Sequence, residues 1–176
     1  MDYNMTNGRM PGNMGKYASI SGRIAEIMPH GIRNGMMDSC QLLVGVEGSD
    51  GSRNNFIVTP SSFVVDFVTL RVGMRCTFWY RTDAPMLLIY PPQYRAVVVA
   101  VYEEDRSIDV GYYDETLLND TGTLRLNVSR TVNIRTTNNQ MYIGEPAGKD
   151  LVVIYDSSTR SIPAQTTPRE VFVLCE

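Results

Sequence analysis

The residues of this chain that could do chemistry are few, and none forms a catalytic or metal-binding set. There are three cysteines, Cys40, Cys76 and Cys175, and one histidine, His30. No two cysteines have the spacing of zinc ligands, and a nucleophile needs a base held beside it. No glycine-rich phosphate-binding motif is present either. We therefore predict a protein that is not an enzyme, with no metal, no cofactor and three reduced thiols.

The stretch "DAPMLLIYPPQYR", residues 83–95, is the strongest candidate for a ligand-binding loop. Tyr90, Tyr94 and Arg95 could stack on bases or sugars. The prolines of the stretch fix backbone angles, so the loop loses less entropy when it binds a ligand. Alternatively, the prolines only steer the chain, the two tyrosines close the end of the fold, and Arg95 pairs with an acid.

Trp79 and Tyr80 are further candidate binding residues. They are neighbours in a predicted strand, so their side chains should point to opposite faces. One is then expected in the core, and the other is expected to be a surface aromatic that could contribute to ligand binding.

Arg95 and Arg169 form a pair of a different kind. The string "RAVVVA" matches "REVFVL", which places Arg95 on Arg169. Tyr90 and Tyr94 have no counterpart in the second loop, "STRSIPAQTTP". A role shared by both arginines is therefore predicted to be structural, with each guanidinium holding its loop onto the domain.

The elements that position these residues are predicted to be strands, because apolar residues recur with period two. Each half of the chain holds five such segments, so the fold class is predicted to be all-β. The segments are "SISGRIAEIM", "CQLLVGVEG", "NNFIVTP", "MRCTFWYRT" and "RAVVVAVYEE", then "SIDVGYYDE", "TLRLNVS", "VNIRTTN", "DLVVIYDSS" and "EVFVLC".

The two halves match each other, which indicates an internal duplication of a whole domain. Gly73 aligns with Gly148 and Tyr80 with Tyr155, 75 residues apart in each case. We predict a first repeat over residues 18–104 and a second over 105–176. Residues 1–17 are rich in Gly, Asn and Met and are predicted to be a flexible N-terminal arm.

Five short strands in a small domain avoid exposed edges best by closing into a barrel. Each repeat is therefore predicted to be a small five-stranded β-barrel, OB-like or SH3-like, with an open sandwich as a further alternative. The segment that joins the third and fourth strands is predicted to hold a helical turn in the first repeat, after Ser61 and Ser62, but not in the second.

The strings "LIYPPQYRAVVVA" and "STRSIPAQTTP" resemble those of an uncharacterised bacterial family of two-repeat β proteins. The resemblance covers both repeats and leaves out the arm. It implies the tandem β-barrel architecture and no particular activity.

Charge and hydropathy narrow the class of function. The formal net charge is −3, which lacks the basic excess of a typical nucleic-acid binder. No apolar run is long enough for a membrane helix, and no secretion signal is recognised, so a cytoplasmic location is expected. The leading hypothesis is a non-enzymatic binding or assembly module for a protein partner or for self-association. The alternatives are single-stranded nucleic-acid binding through an OB-like face and, less favoured, carbohydrate binding.

Overall fold

The computed structural model describes residues 14–175, and the predicted all-β class is confirmed. These residues form fifteen strand segments and one 3-10 turn, Val65–Phe67. Nothing helical in residues 14–175 is long and apolar enough to cross a membrane.

The chain divides into two compact units. The first is Tyr17–Glu104, and the second contains residues 14–16 and 105–175. Most of the predicted arm, residues 1–13, lies outside the described residues. Its predicted end differs from the structure by one residue, because the first strand begins at Tyr17, whose side chain is buried.

The first unit contains nine strand segments. Seven of them form one sheet in the order β6-β9-β7-β1-β4-β5-β8, while β2 and β3 form a separate hairpin at the Asn34–Gly35 turn. Their bounds are β1 Tyr17–Pro29, β2 Ile32–Arg33, β3 Met36–Met37, β4 Leu42–Glu47, β5 Arg53–Val58, β6 Phe63–Val64, β7 Arg75–Arg81, β8 Gln93–Arg95 and β9 Val98–Val101.

The long strand β1 organises this sheet. Its first half pairs with β7 and its second half with β4, and the register shifts between Ile24 and Glu26. At the changeover, a Cβ on Gly22 would lie 2.6 Å from Cγ1 of Val46, so the close approach of β1 to β4 requires glycine.

The core of the first unit collects the inward-facing residues of five strands. Phe56 and Phe78 lie at its centre and are completely buried. The remaining buried members are Ile24, Val44, Val46, Val58, Cys76, Ala96 and Val99. Since every other residue of a strand points to one face, this cluster accounts for the period-two pattern of the sequence.

The second unit contains six strand segments. One sheet has the order β10-β13-β15-β12, and β11 pairs with β14 in a sheet of two strands. The bounds are β10 Ser107–Tyr113, β11 Leu124–Leu126, β12 Asn133–Thr136, β13 Lys149–Tyr155, β14 Ala164–Thr166 and β15 Glu170–Val173.

The same pairing scheme occurs in both units. The antiparallel pair β7–β9 corresponds to β13–β15, with Trp79 opposite Val98 in one and Ile154 opposite Glu170 in the other. The parallel pair β6–β9 corresponds to β12–β15, and β5–β8 corresponds to β11–β14. Strand register therefore carries the internal duplication more clearly than residue identity does.

The division of strands differs from the prediction. All ten predicted segments are present, but they lie in sheets of seven, four, two and two strands instead of two sets of five. The additional segments are β2, β3, β6, β8 and β14, each of only two or three residues. In the second unit, single bridges from Tyr113 to Asn119 and from Leu118 to Arg125 stand where β4 lies in the first.

The core of the second unit is also a cluster of inward-facing apolar residues, and it includes a buried polar contact. Tyr113 is completely buried, and its hydroxyl donates to Asp109 at 2.5 Å, while the Asn119 amide donates to the same oxygen at 3.2 Å. Burial, and then the Asp109 carboxylate, strongly raise the pKa of Tyr113. The cluster packed here contains Leu124, Leu126, Leu151, Val153, Val171 and Val173.

The segments that lead into β7 and β13 end alike. Gly73 and Gly148 both have positive φ, 94° and 71°, as the alignment of these two glycines suggests. A side chain at either position would be strained, so glycine is needed to turn the chain into the strand. The first repeat has a 3-10 turn at Val65–Phe67 in the segment where a helical turn was predicted, but this turn follows Val64 instead of Ser61 or Ser62, and Asp66 within it has a positive φ of 63°.

Candidate functional site

The Pro-rich loop, residues 82–92, connects β7 to β8 and is fixed at both ends. At its start, the Arg81 guanidinium donates to both carboxylate oxygens of Asp83, at 3.0 and 2.9 Å. At its end, the backbone nitrogen of Asn55 donates to the carbonyl of Pro92 at 2.8 Å. These contacts connect both ends of the loop to the strands of the first unit.

The middle of the Pro-rich loop exposes an unbroken apolar run. Leu88 is fully exposed, and Tyr90 is 83% exposed. Exposed single apolar residues are common, but contiguous ones mark surfaces that bind other molecules. The run consists of Met86, Leu87, Leu88, Ile89 and Tyr90.

Tyr80 and Tyr94, both candidate binding residues, lie in an aromatic stack at the edge of the core. Their ring centroids are 4.3 Å apart, and Tyr94 stacks on Phe56 at 5.4 Å. Phe56 in turn stacks on Phe78 at 4.5 Å. Burial raises the pKa of both tyrosines. Their rings are half-buried and engaged with one another, so they support the fold beneath the loop.

Trp79 lies on the opposite face of β7, as the alternation of strand side chains requires, but it is only 7% exposed. Tyr80 packs against the core cluster. Neither residue is thus the surface aromatic that we expected. Of the four candidate aromatic residues, the structure leaves only Tyr90 fully available to a ligand.

Arg95 and Arg169 do not occupy equivalent positions. The shared register matches Val98 with Glu170. Arg169 therefore corresponds to Val97 and not to Arg95. The residue of the second unit that corresponds to Arg95 lies two positions before Arg169. The sequence alignment matched the two arginines by residue type. The strand pairing shows that they lie at different positions in the two repeats.

The two arginines also differ in their contacts. Arg169 donates to Asp156 at 3.1 Å, which ties the end of the loop after β13 to its start. Arg95 is exposed, and within residues 14–175 its side chain forms no hydrogen bond or ion pair. The predicted anchoring contact is therefore present at Arg169 and not at Arg95.

The remaining reactive side chains are dispersed. Among residues 14–175, no group of three or more His, Cys, Asp and Glu side chains could hold a metal ion. Cys76 is buried inside the first unit, and this burial raises the pKa of its thiol to about 11. A thiol with such a pKa is a poor nucleophile near neutral pH.

The cysteines give a direct check of this burial. Cys40, Cys76 and Cys175 are all free thiols, and Cys40 and Cys175 are exposed. We expect a thiol reagent at pH 8 to modify two groups quickly in the native protein and the third only after unfolding. A Cys76→Ala variant should lose the slow group alone. Three fast groups would contradict the buried position of Cys76, and a single group after unfolding would reveal a disulfide.

The exposed apolar run was not predicted from the sequence, which indicated only the tyrosines and Arg95 of this loop as candidate binding residues. The sequence does contain a signal for it, the string "MLLI". This string lies between prolines, and proline is disfavoured inside a sheet, so the apolar run is not expected to form a core strand. Comparisons with protein-family models and with curated proteins find no match for this chain.

Proposed function

We propose that this protein is a non-enzymatic binding module that docks a protein partner, or a second copy of itself, through the Pro-rich loop of its first unit. The observation that carries the proposal is the run of five consecutive exposed apolar side chains at residues 86–90. An exposed apolar loop stiffened by prolines gains free energy when a partner removes it from water and loses less entropy than a flexible loop would.

The proposal includes an OB-like barrel for each unit. With β8 and β9 taken as two parts of one strand, the pairings run from β1 through β4, β5 and β8–β9 to β7 and back to β1. In the second unit, the bridges at Leu118 and Asn119 supply the missing link in the same circuit. The single core cluster of each unit supports closure, because inward residues of all strand positions meet there.

An OB-like barrel offers two loops for binding, one between its first two strands and one between its last two. In the first unit these are the β2–β3 hairpin and the Pro-rich loop. Both expose apolar residues, including Ile32, Met36 and Met37 in the hairpin. Apolar loops at both positions favour a protein surface as the ligand, since bases and sugars need polar and aromatic groups.

The burial of Trp79 and the mutual stacking of Tyr80 with Tyr94 count against the alternatives. Nucleic-acid binding was predicted from Tyr90, Tyr94, Arg95 and Trp79, and carbohydrate binding from the same aromatic residues, but only Tyr90 and Arg95 of this set are exposed. The proposal retains a cytoplasmic setting, with which the three free thiols agree. It also retains the resemblance to a two-repeat β family, and the shared pairing scheme supports the internal duplication that this resemblance implies.

The test is a capture experiment with the full chain. A variant with both Leu87→Ser and Leu88→Ser should lose at least about tenfold of its specifically bound protein, because the apolar contact is removed at its most exposed point. Its melting temperature should match that of the parent, since these side chains are outside the core. Bound proteins are measured by quantitative mass spectrometry, and sedimentation of the purified chain shows whether the partner is a second copy.

The matched control is Ile143→Ser, which removes an equally exposed apolar side chain from the second unit. It should capture as much partner as the parent does. Equal loss in both variants would mean that general stickiness was measured, and an unchanged capture by the loop variant would refute the proposed site.

A further inference from the structure

The first unit has a cleft at the start of β7, and the Pro-rich loop lies at the other end of that strand. Its volume is about 820 Å³, and it is lined by residues 21–25 of β1, by residues 47–49 and by the chain around Gly73. Arg75, the first residue of β7, lies in the lining, whereas the Pro-rich loop follows the last residue of that strand. Ligand-binding pockets for small molecules commonly have volumes of about 300–1,000 Å³.

Two arginines lie side by side in the lining of this cleft. Arg23 of β1 and Arg75 of β7 are direct partners in the antiparallel ladder. Directly opposed residues point to the same face, about 4.5–5.5 Å apart at their Cβ atoms, and like charges at such positions destabilise a sheet. Both arginines also line the cleft. The fold thus places two positive charges side by side where a pair of opposite charges would be more stable.

Both guanidiniums are held in place without being neutralised. Arg23 donates from Nη1 to the carbonyl of Gly73 at 2.8 Å. Arg75 lies over the ring of Tyr102, with its Cζ 4.2 Å from the ring centroid. Within residues 14–175, neither forms an ion pair, so most of their N–H donors remain for another acceptor.

The acid that lines the cleft balances the two arginines only in part, although Glu47 is the cross-strand partner of Arg23 in the β1–β4 ladder. The carboxylate of Glu47 lies 3.6 Å from Arg53, which also pairs with Glu26 at 3.3 Å. Glu47 is therefore engaged with a different arginine. The cleft keeps an excess of positive charge, although the whole chain is slightly acidic.

We propose that this cleft binds a small molecule through an oxyanion, a phosphate or carboxylate group held between Arg23 and Arg75. The planar guanidinium suits two-point contacts with either group. The ring of Tyr102 fixes Arg75 before binding, and a bound anion removes the repulsion between the two arginines. This site is separate from the proposed protein-docking loop and does not depend on it.

The test uses pyrophosphate and citrate as probes, measured by titration calorimetry on the full chain at constant ionic strength. We expect at least one probe to bind, and the probe that binds distinguishes phosphate from carboxylate recognition. Arg75→Gln and Arg23→Gln should each weaken that binding at least about tenfold. Arg75→Lys should also weaken it several-fold, since lysine keeps the charge but lacks the planar fork.

Arg95→Gln is the matched control, because Arg95 is exposed in the same unit and is not part of the cleft. It should bind the probe as the parent does. Failure of both probes to bind the parent at millimolar concentration would overturn the proposal. So would equal weakening by Arg95→Gln, which would show only a general effect of net charge. Two independent cleft variants, each checked for native circular dichroism, separate a lost site from a misfolded protein.

Discussion

Replacement of Phe56 by alanine should lower the free energy of unfolding of the first unit by about 3–5 kcal/mol. Phe56 is completely buried and lies between Phe78 and Tyr94 in the aromatic stack. Removal of its ring deletes apolar contact area and leaves a cavity that the stiff strands around it can fill only in part. The same cavity would loosen Tyr94, on which the base of the Pro-rich loop rests.

Urea unfolding followed by tryptophan fluorescence measures this effect, because the single tryptophan, Trp79, belongs to the first unit. Phe67→Ala is the control, since that ring is largely exposed on the 3-10 turn. It should change the unfolding free energy by less than about 0.5 kcal/mol. Similar losses in the two variants would show that Phe56 is not the centre of the core.

Replacement of Lys16 by methionine should destabilise the second unit by about 1–3 kcal/mol. Its Nζ lies 2.6 Å from the carboxylate of Asp150, which is only 8% exposed. Loss of the cation removes the contact between Lys16 and a buried carboxylate, and a buried charge with less compensation is costly. The value is reduced from that of a fully buried pair because Lys16 itself is about one-third exposed. Methionine keeps the length and apolar stem of the side chain, so the change isolates the charge.

Lys149→Met provides the control, since Lys149 is exposed beside Asp150 and is the only other lysine. Urea unfolding monitored by far-ultraviolet circular dichroism should give nearly the parent value for this variant. If Lys16→Met also unfolds like the parent, the contact with Asp150 contributes nothing to stability, and the buried carboxylate is balanced by other groups.

Much of this fold was readable in the sequence, because strands impose a strict alternation. In β1, Ile20 and Ile24 point inward at every second step, as the pattern indicated. The segments that were missed, such as β8 and β14, are only three residues long, and each lies beside prolines. Their strand conformation is fixed by parallel hydrogen bonds to distant residues, which no local pattern records.

The candidate site was readable only in part. The sequence indicated the Pro-rich loop as a candidate site, because prolines and glycines mark connections between strands directly. It could not tell that Tyr94 would turn inward onto Phe56 while Tyr90 would remain in solvent. That distinction depends on where the loop ends and the parallel pairing of β8 with β5 begins, and this boundary is set by tertiary contacts.

The arginine pair of the cleft was invisible for a similar reason. Arg23 and Arg75 are 52 positions apart in the sequence and become neighbours only through the register of β1 with β7. The registers of β7 with β9 and of β13 with β15 likewise corrected the match between Arg95 and Arg169. In a duplicated β protein, strand pairing therefore locates equivalent positions better than shared residue types do.

We propose that the Pro-rich loop contacts a protein, and site-specific photo-crosslinking from position 88 tests this contact most directly. A photoreactive side chain replaces Leu88 in cells that make the protein, and a second version carries it at Ile143, which is also exposed. We expect a discrete adduct of fixed mass from position 88, with one other protein or with a second copy of the chain, and none from position 143. No adduct from position 88, or the same diffuse products from both positions, would contradict it.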